Sequence, residues 1–275
     1  MGQSVAYLGP EGTYSHLVVE KRFGKRKRNI PMPTILDVCS YVSRKRDRYG
    51  IIPIENSSGG AVYETIDILL ANSPRIHIKE ELSLEVNLAL IGRKGEKKRT
   101  LYSHFAPLEH CVSWIRKELP GVSRCSVTST AAAARQAAGE EGACALGSRK
   151  LAKIYGLDIL HYPVQGDIPN ITSFLAICGR KPSVGNPSKT TLAVRLPNRP
   201  GALCSLLEVF RNERVNLSRL ISRPLRGHPR QYAFLVDIDG GKSVPRVRRA
   251  LSDARRVSDE LRIVGSYPVR RMYKS

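Results

Sequence analysis

Short apolar runs and amphipathic stretches alternate through the first two thirds of the chain. Residues 4–8, SVAYL, form an apolar run that stops at Gly9-Pro10, which reads as a strand and a turn. Residues 13–23 place apolar side chains at helical spacing and stop at Gly24, so they read as a helix. GIIPI at 50–54 is a β-branched run, and 62–71 is helix-like. Leu84, Val86, Leu88 and Leu90 alternate with mostly polar neighbours, the pattern of a strand with one buried face. Further strands are predicted at 100–103, 122–127, 143–147 and 172–178, separated by helices at 107–118, 130–138 and 148–155. This alternation predicts an α/β architecture with mainly parallel sheets. Two such series predict two lobes with a cleft between them.

The stretch GRKPSVGNPSKT at 179–190 is rich in Gly, Pro, Ser and Lys and has almost no apolar content, so it reads as a linker. It divides the chain into domains at 1–180 and 189–275. The second part reads strand 190–196, helix 200–213, strand 215–222, strand 231–238, helix 243–256 and strand 261–268. That order is βαββαβ, the ferredoxin-like arrangement. Many functions use it, so it says little by itself.

Composition narrows the partners. The 275 residues are 41% hydrophobic and 25% charged, which fits a folded core. The formal charge of +21 points to polyanions, anionic membranes or small anionic substrates. Residues 189–275 hold 19 Lys and Arg against 7 Asp and Glu. The runs at 21–28 and 44–48 are strongly basic and read as solvated faces. No apolar run approaches the ~18 residues of a membrane span, and no secretory leader pattern opens the chain. Cys39, Cys111, Cys125, Cys144, Cys178 and Cys204 are scattered without a C-x-x-C pair, so free thiols in the cytoplasm are expected. His104, His110 and His161 lack ligand spacing, and no metal is expected.

Several polar clusters fall where strands end. Residues 9–15, GPEGTYS, link a strand to a helix. Their glycines allow a tight turn, and the helix start offers N–H groups to an anion, although an ordinary turn would look the same. The sequence is neither a Walker A loop nor a dinucleotide fingerprint. Glu55-Asn56-Ser57-Ser58 follows GIIPI at the carboxyl end of a strand, where open α/β sheets place ligands; a polar capping loop is the alternative. Tyr102-Ser103-His104 ends another strand, and Asn170-Ile171-Thr172-Ser173-Phe174 begins one.

Together these stretches resemble a known family. Residues 5–179 are similar to prephenate dehydratase through GPEGTYSH, IPIENSSGGAVYETIDILL, LYSH with the following EHC, TSTAAAARQAA and NITSF. Residues 190–270 resemble a regulatory ACT domain through GALCSLL, NLSRLISRP and YAFLVDIDG. The resemblance implies a two-lobed, periplasmic-binding-protein-like catalytic domain followed by a ferredoxin-like ACT domain. It implies conversion of prephenate to phenylpyruvate, carbon dioxide and water, with neither metal nor organic cofactor. Thr172 would assist departure of the ring hydroxyl. Thr13, Glu55, Asn56, Ser57, Ser103, His110, Ser173 and Phe174 would contact substrate. L-Phenylalanine would be the effector, held by Gly201, Ala202, Leu203, Asn216, Ser222, Arg223 and Pro224 in a homodimer or homotetramer.

Several positions depart from the family pattern. Thr172-Ser173-Phe174 stands for Thr-Arg-Phe, His110 for Gln, Phe105-Ala106 for Pro-Gln, and Ile221 for the Glu of Glu-Ser-Arg-Pro. If Ser173 has replaced a carboxylate-binding Arg, another cation is expected in the cleft. An arogenate dehydratase and a prephenate decarboxylase are the related alternatives; retention of Thr172 argues against the decarboxylase. A more distant alternative is an RNA-recognition module, because residues 230–236, RQYAFLV, approximate one of its aromatic motifs. Gln231 stands where that motif needs Gly, and TTLAVRL lacks the second stacking aromatic, so no nucleic-acid partner is expected. No membrane partner is expected either.

Overall fold

The computed structural model describes residues 4–24, 28–164, 166, 168–183, 185–225 and 230–275. Residues 25–27 of the basic run at 21–28 lie outside them. The chain runs β1 (Ser4–Leu8), α1 (Tyr14–Phe23), β2 (Arg28–Met32), α2 (Ile35–Ser43), β3 (Tyr49–Asn56), β4 (Gly60–Ala61) and α3 (Tyr63–Ala71). Then come β5 (His77–Glu85), β6 (Leu88–Gly92), β7 (Thr100–Ser103), α4 (Phe105–His110), α5 (Val112–Glu118), β8 (Ser123–Ser126), α6 (Thr130–Gly139), β9 (Ala143–Gly147), α7 (Arg149–Tyr155), β10 (Asp158–Val164) and β11 (Ile171–Cys178). The last third is β12 (Lys189–Arg195), α8 (Ala202–Asn212), β13 (Leu217–Pro224), β14 (Tyr232–Asp239), α9 (Pro245–Arg256), β15 (Glu260–Tyr267) and β16 (Tyr273–Lys274).

Three sheets result. The first has the order β16-β5-β11-β3-β1-β2 with β4 beside β3; the second is β10-β6-β9-β7-β8; the third is β13-β14-β12-β15. The first two are mixed rather than mainly parallel. β1 pairs with β2 and β3 in parallel, as helical crossovers require, but β11 runs antiparallel between β3 and β5. The cause is that the chain passes between the lobes twice, so β5 leads out of the first lobe and β11 returns into it. The alternation from Leu84 to Leu90 is likewise not one strand. β5 ends at Glu85 and β6 begins at Leu88 in the other lobe, and the four apolar side chains form a stripe through one core shared by both lobes. The helix predicted at 107–118 breaks at Cys111 into α4 and α5.

In the third sheet, α8 and α9 cover one face through Leu206, Phe210, Val247 and Leu251. The other face, carrying Leu235 and Tyr267, joins Ile52, Ile54 and Leu175 of the first lobe in a single core. An RNA-recognition domain needs that face open for bases; here it is occupied, and Phe234 packs on the helical side. After β15 the chain returns to the first lobe, where β16 pairs in parallel with β5.

Candidate active site

A cavity of about 420 Å³ opens between the two lobes, within the usual range of small-molecule sites. Its walls come from the ends of β1 and β3 and the starts of β11, α1, α4 and α6. A β-bulge sets the geometry of its floor. Phe174 faces Pro53 and Ser173 faces Glu55 in the β3–β11 register, which leaves Ile54 as the extra residue. Ile54 and Glu55 therefore both turn toward the third sheet, and Asn56 is re-aimed into the cavity opposite Thr172.

Asn56 is held by four hydrogen bonds. Its Oδ1 accepts from the backbone N–H groups of Ser58 at 2.9 Å and Gly59 at 2.7 Å. Two amide donors fix which atom is oxygen, so Nδ2 must point the other way. Nδ2 donates to Asn170 Oδ1 and to Thr172 Oγ1, each at 2.8 Å. With that bond accepted, the Thr172 proton is free to be donated into the cavity, and its O–H is polarised.

On the first lobe, Thr13 caps α1, and its Oγ1 also reaches the carbonyls of Pro10 and Leu8. Gly12 sits at φ +85°, and a Cβ there would lie 2.5 Å from Leu151 of the second lobe. Only glycine satisfies both demands. Around it the lobes are tied together: Ser148 donates to the Gly12 carbonyl at 2.7 Å, and Lys150 reaches Glu20 at 2.7 Å. His16 stacks on Tyr7 and accepts the Gly12 N–H at Nδ1. Burial and then Lys150 push its pKa below the ordinary value, which keeps it an acceptor. On the second lobe, Ser129 caps α6 by accepting from the N–H of Ala132 at 3.0 Å. His104 also lines the cavity, and burial lowers its pKa.

Among the described residues, none that lines the cavity is Lys, Arg, Asp or Glu. An anion there meets hydroxyls and the N-terminal turns of α1 and α6, one from each lobe.

Of the residues singled out in the sequence, Thr13, Asn56, Thr172 and Phe174 come together in the cavity. The rest lie elsewhere. Glu55 faces the third sheet, where Arg219 donates to it at 2.7 and 3.0 Å. Ser173 alternates to that same face, so its lack of a guanidinium removes nothing from the cavity wall. Ser57 clamps the loop before β11 through Pro169 and Ile171. Ser103 is fully buried and donates to the Leu146 carbonyl. His110 Nδ1 is 2.8 Å from Ser58 Oγ, beside a smaller hollow of about 330 Å³. Sequence reasoning assigned no site role to Tyr14, Ser129, Thr130 or Asn170, all of which line the cavity. Ser129 before an alanine run is a capping signal that could have marked the second helix start.

In the third sheet, Ala202 and Leu203 line a hollow of about 150 Å³ with Tyr232 and Phe234, and Gly201 caps α8 at φ +80°. Asn216 instead binds Asp239, and Ser222 lies opposite Phe234 in the ladder. Arg223 pairs with Asp67 at 2.6 and 2.7 Å, and with Pro224 it lines a separate groove of about 690 Å³ against α2 and α3. That groove is larger than the cleft cavity but lies away from the Asn56–Thr172 pair.

A polar cleft between two α/β lobes, joined to a βαββαβ domain, defines a two-lobed enzyme with an attached ACT-type domain. The family model described as prephenate dehydratase matches residues 5–182, and the ACT domain model matches 190–256. The chain belongs to the prephenate dehydratase family. It is 36% identical over 266 residues to a bifunctional chorismate mutase/prephenate dehydratase of Aquifex aeolicus, covering 96% of this chain and 73% of that one. It is 34% identical over 282 residues to arogenate dehydratase/prephenate dehydratase 2 of Arabidopsis thaliana, covering 96% and 72%. Among solved structures, the prephenate dehydratase of Arthrobacter aurescens in complex with L-Phe has a TM-score of 0.86 at 29% identity, covering 96% of this chain and 90% of that one.

Proposed function

We propose that this chain converts prephenate to phenylpyruvate, carbon dioxide and water. The observation that carries this reading is the Asn56–Thr172 pair, which aims a hydroxyl donor into a cavity lined, among the described residues, by no charged side chain. Breaking the bond from the ring to its carboxylate releases carbon dioxide and sends an electron pair into the ring. Those electrons expel the ring hydroxyl, which takes one proton and leaves as water. Thr172 donates that proton or relays it from solvent. A hydroxyl is a weak acid, so hydrogen bonding that strengthens as charge builds on the leaving oxygen is its main contribution. The two carboxylates of the substrate are held apart by the starts of α1 and α6.

The same lining supports prephenate over arogenate, whose side chain carries an ammonium. Among the described residues, no carboxylate lines the cavity to receive that charge. Purified protein given each substrate separates the two readings, with phenylpyruvate followed by its absorbance in alkali and phenylalanine by chromatography. Faster turnover of prephenate is expected; turnover of neither substrate overturns the proposal.

The third sheet and its helices are proposed to bind L-phenylalanine at the hollow beside Gly201, Ala202 and Leu203. The hollow is small and open, and β13 is a free sheet edge, which supports a second copy completing the site. Calorimetry with phenylalanine and light scattering in its presence test this together; a monomer that binds no phenylalanine overturns it. The six cysteines are all unpaired, which supports a reducing compartment such as the cytoplasm.

A further inference from the structure

A separate cavity of about 480 Å³ lies where three parts of the chain meet. Arg75 and His77 come from the start of β5, Lys181 from the segment after β11, and Lys242 from the turn before α9. Among the described residues, no acidic residue lines it and no carboxylate forms an ion pair with Arg75, Lys181 or Lys242. Elsewhere on this junction cations are matched: Lys189 with Glu81, and Arg270 with Glu80. The unmatched field is felt inside the cavity. The pKa of His77 is lowered by burial and then by Arg75 and Lys181. Ile78 and Ile263 give the cavity an apolar wall, and Ser266 brings a hydroxyl.

Arg75, Lys181 and Lys242 are exposed and screened by water, so they coexist without a partner, but an anion seated among them would meet converging cations from separate segments. One carboxylate would leave most of this charge uncompensated. A ligand with several anionic oxygens and a small apolar body fits better. We infer that this cavity binds a small phosphorylated metabolite, of the phosphate-ester or diphosphate class. Such a ligand would tie the first lobe to the third sheet, because each contributes cations. The site is distinct from the cleft that holds Thr172 and from the hollow beside Gly201.

The probe is inorganic pyrophosphate, titrated calorimetrically into the full chain at constant ionic strength, with malonate as a dicarboxylate comparison. Saturable binding of pyrophosphate is expected, with binding of malonate at least about tenfold weaker. The double variant Lys181→Ala/Lys242→Ala weakens pyrophosphate by about tenfold or more. Arg211→Ala/Arg255→Ala removes the same formal charge from exposed helix positions and should change affinity by less than about twofold. Absence of saturable binding overturns the site. Equal weakening by both double variants, or binding that survives the cavity variant, also overturns it, since the anion is then held by diffuse charge or by another site. Malonate binding as tightly as pyrophosphate overturns the phosphate class.

Discussion

The two faces of β3 and β11 do opposite things with charge. On the cleft face, Asn56, Thr172 and Phe174 present an amide, a hydroxyl and a ring, and among the described residues no charged side chain lines the cavity. On the other face, one residue away along each strand, Glu55 and Ser173 look at the third sheet. There Arg219 lies buried between Glu55 and Asp237. Burial opposes its charge, yet Asp237, Glu55 and Glu81 together raise its pKa above the ordinary value. If the cleft is the proposed substrate site, it would hold a dianion with dipoles and hydroxyls, while the full charges sit in the buried interface with the third sheet.

The comparison breaks most readily at Arg219. Arg219→Met strands Asp237, which is fully buried, so urea unfolding should show a loss of about 3–5 kcal/mol. Activity per folded molecule should be nearly unchanged. A variant as stable as the parent would show that the charged face does not hold the third sheet in place.

Thr172→Val acts on the other face. The isosteric change keeps the packing beside Phe174 but removes the donor. kcat should fall about a hundredfold to a thousandfold, with unfolding largely preserved. Parent-like turnover of prephenate would remove the assigned role.

Ser129→Ala sharpens the claim that helix starts replace cations. Loss of the α6 cap should cost about 1 kcal/mol of stability. KM for prephenate should rise about twofold to fivefold, because a frayed first turn aims its N–H groups less well. A change in stability with KM untouched would confine Ser129 to capping.

Ser173→Arg should do least. Its side chain faces the third sheet, so kcat/KM should stay within about threefold of the parent. A gain of tenfold or more would mean that position 173 communicates with the substrate after all.

Much of this was legible in the chain. SVAYL, GIIPI and ACALG are strands because each is a short apolar run between breakers, and the alanine run after Ser129 is a helix with its cap written beside it. The βαββαβ order of the last third follows from its periodicity alone. β2, β4, α2, β10 and β16 were not read. β2 follows the basic run at 21–28 and contains Pro31, and β10 is an edge strand with Pro163, so neither shows clean alternation. α2 was missed although Thr34 and Asp37 mark its start, the Thr34 side chain accepting from the Asp37 N–H. β16 has two residues and exists only because β5 offers it an edge.

Sequence by itself determined which residue types the site has: an Asn, a Thr, a Phe and a capping Thr, at motif spacings that could be read without coordinates. Tertiary structure decided where they point. A bulge at Ile54 moves no residue in the sequence, yet it turns Glu55 away from the cleft and Asn56 toward it, because adding one residue to a strand inverts the side-chain alternation beyond it. The same is true of the cavity as a whole. No local pattern states that α1 and α6, over a hundred residues apart, start at one cavity; only the packing of two lobes around a shared core brings their N-terminal turns together.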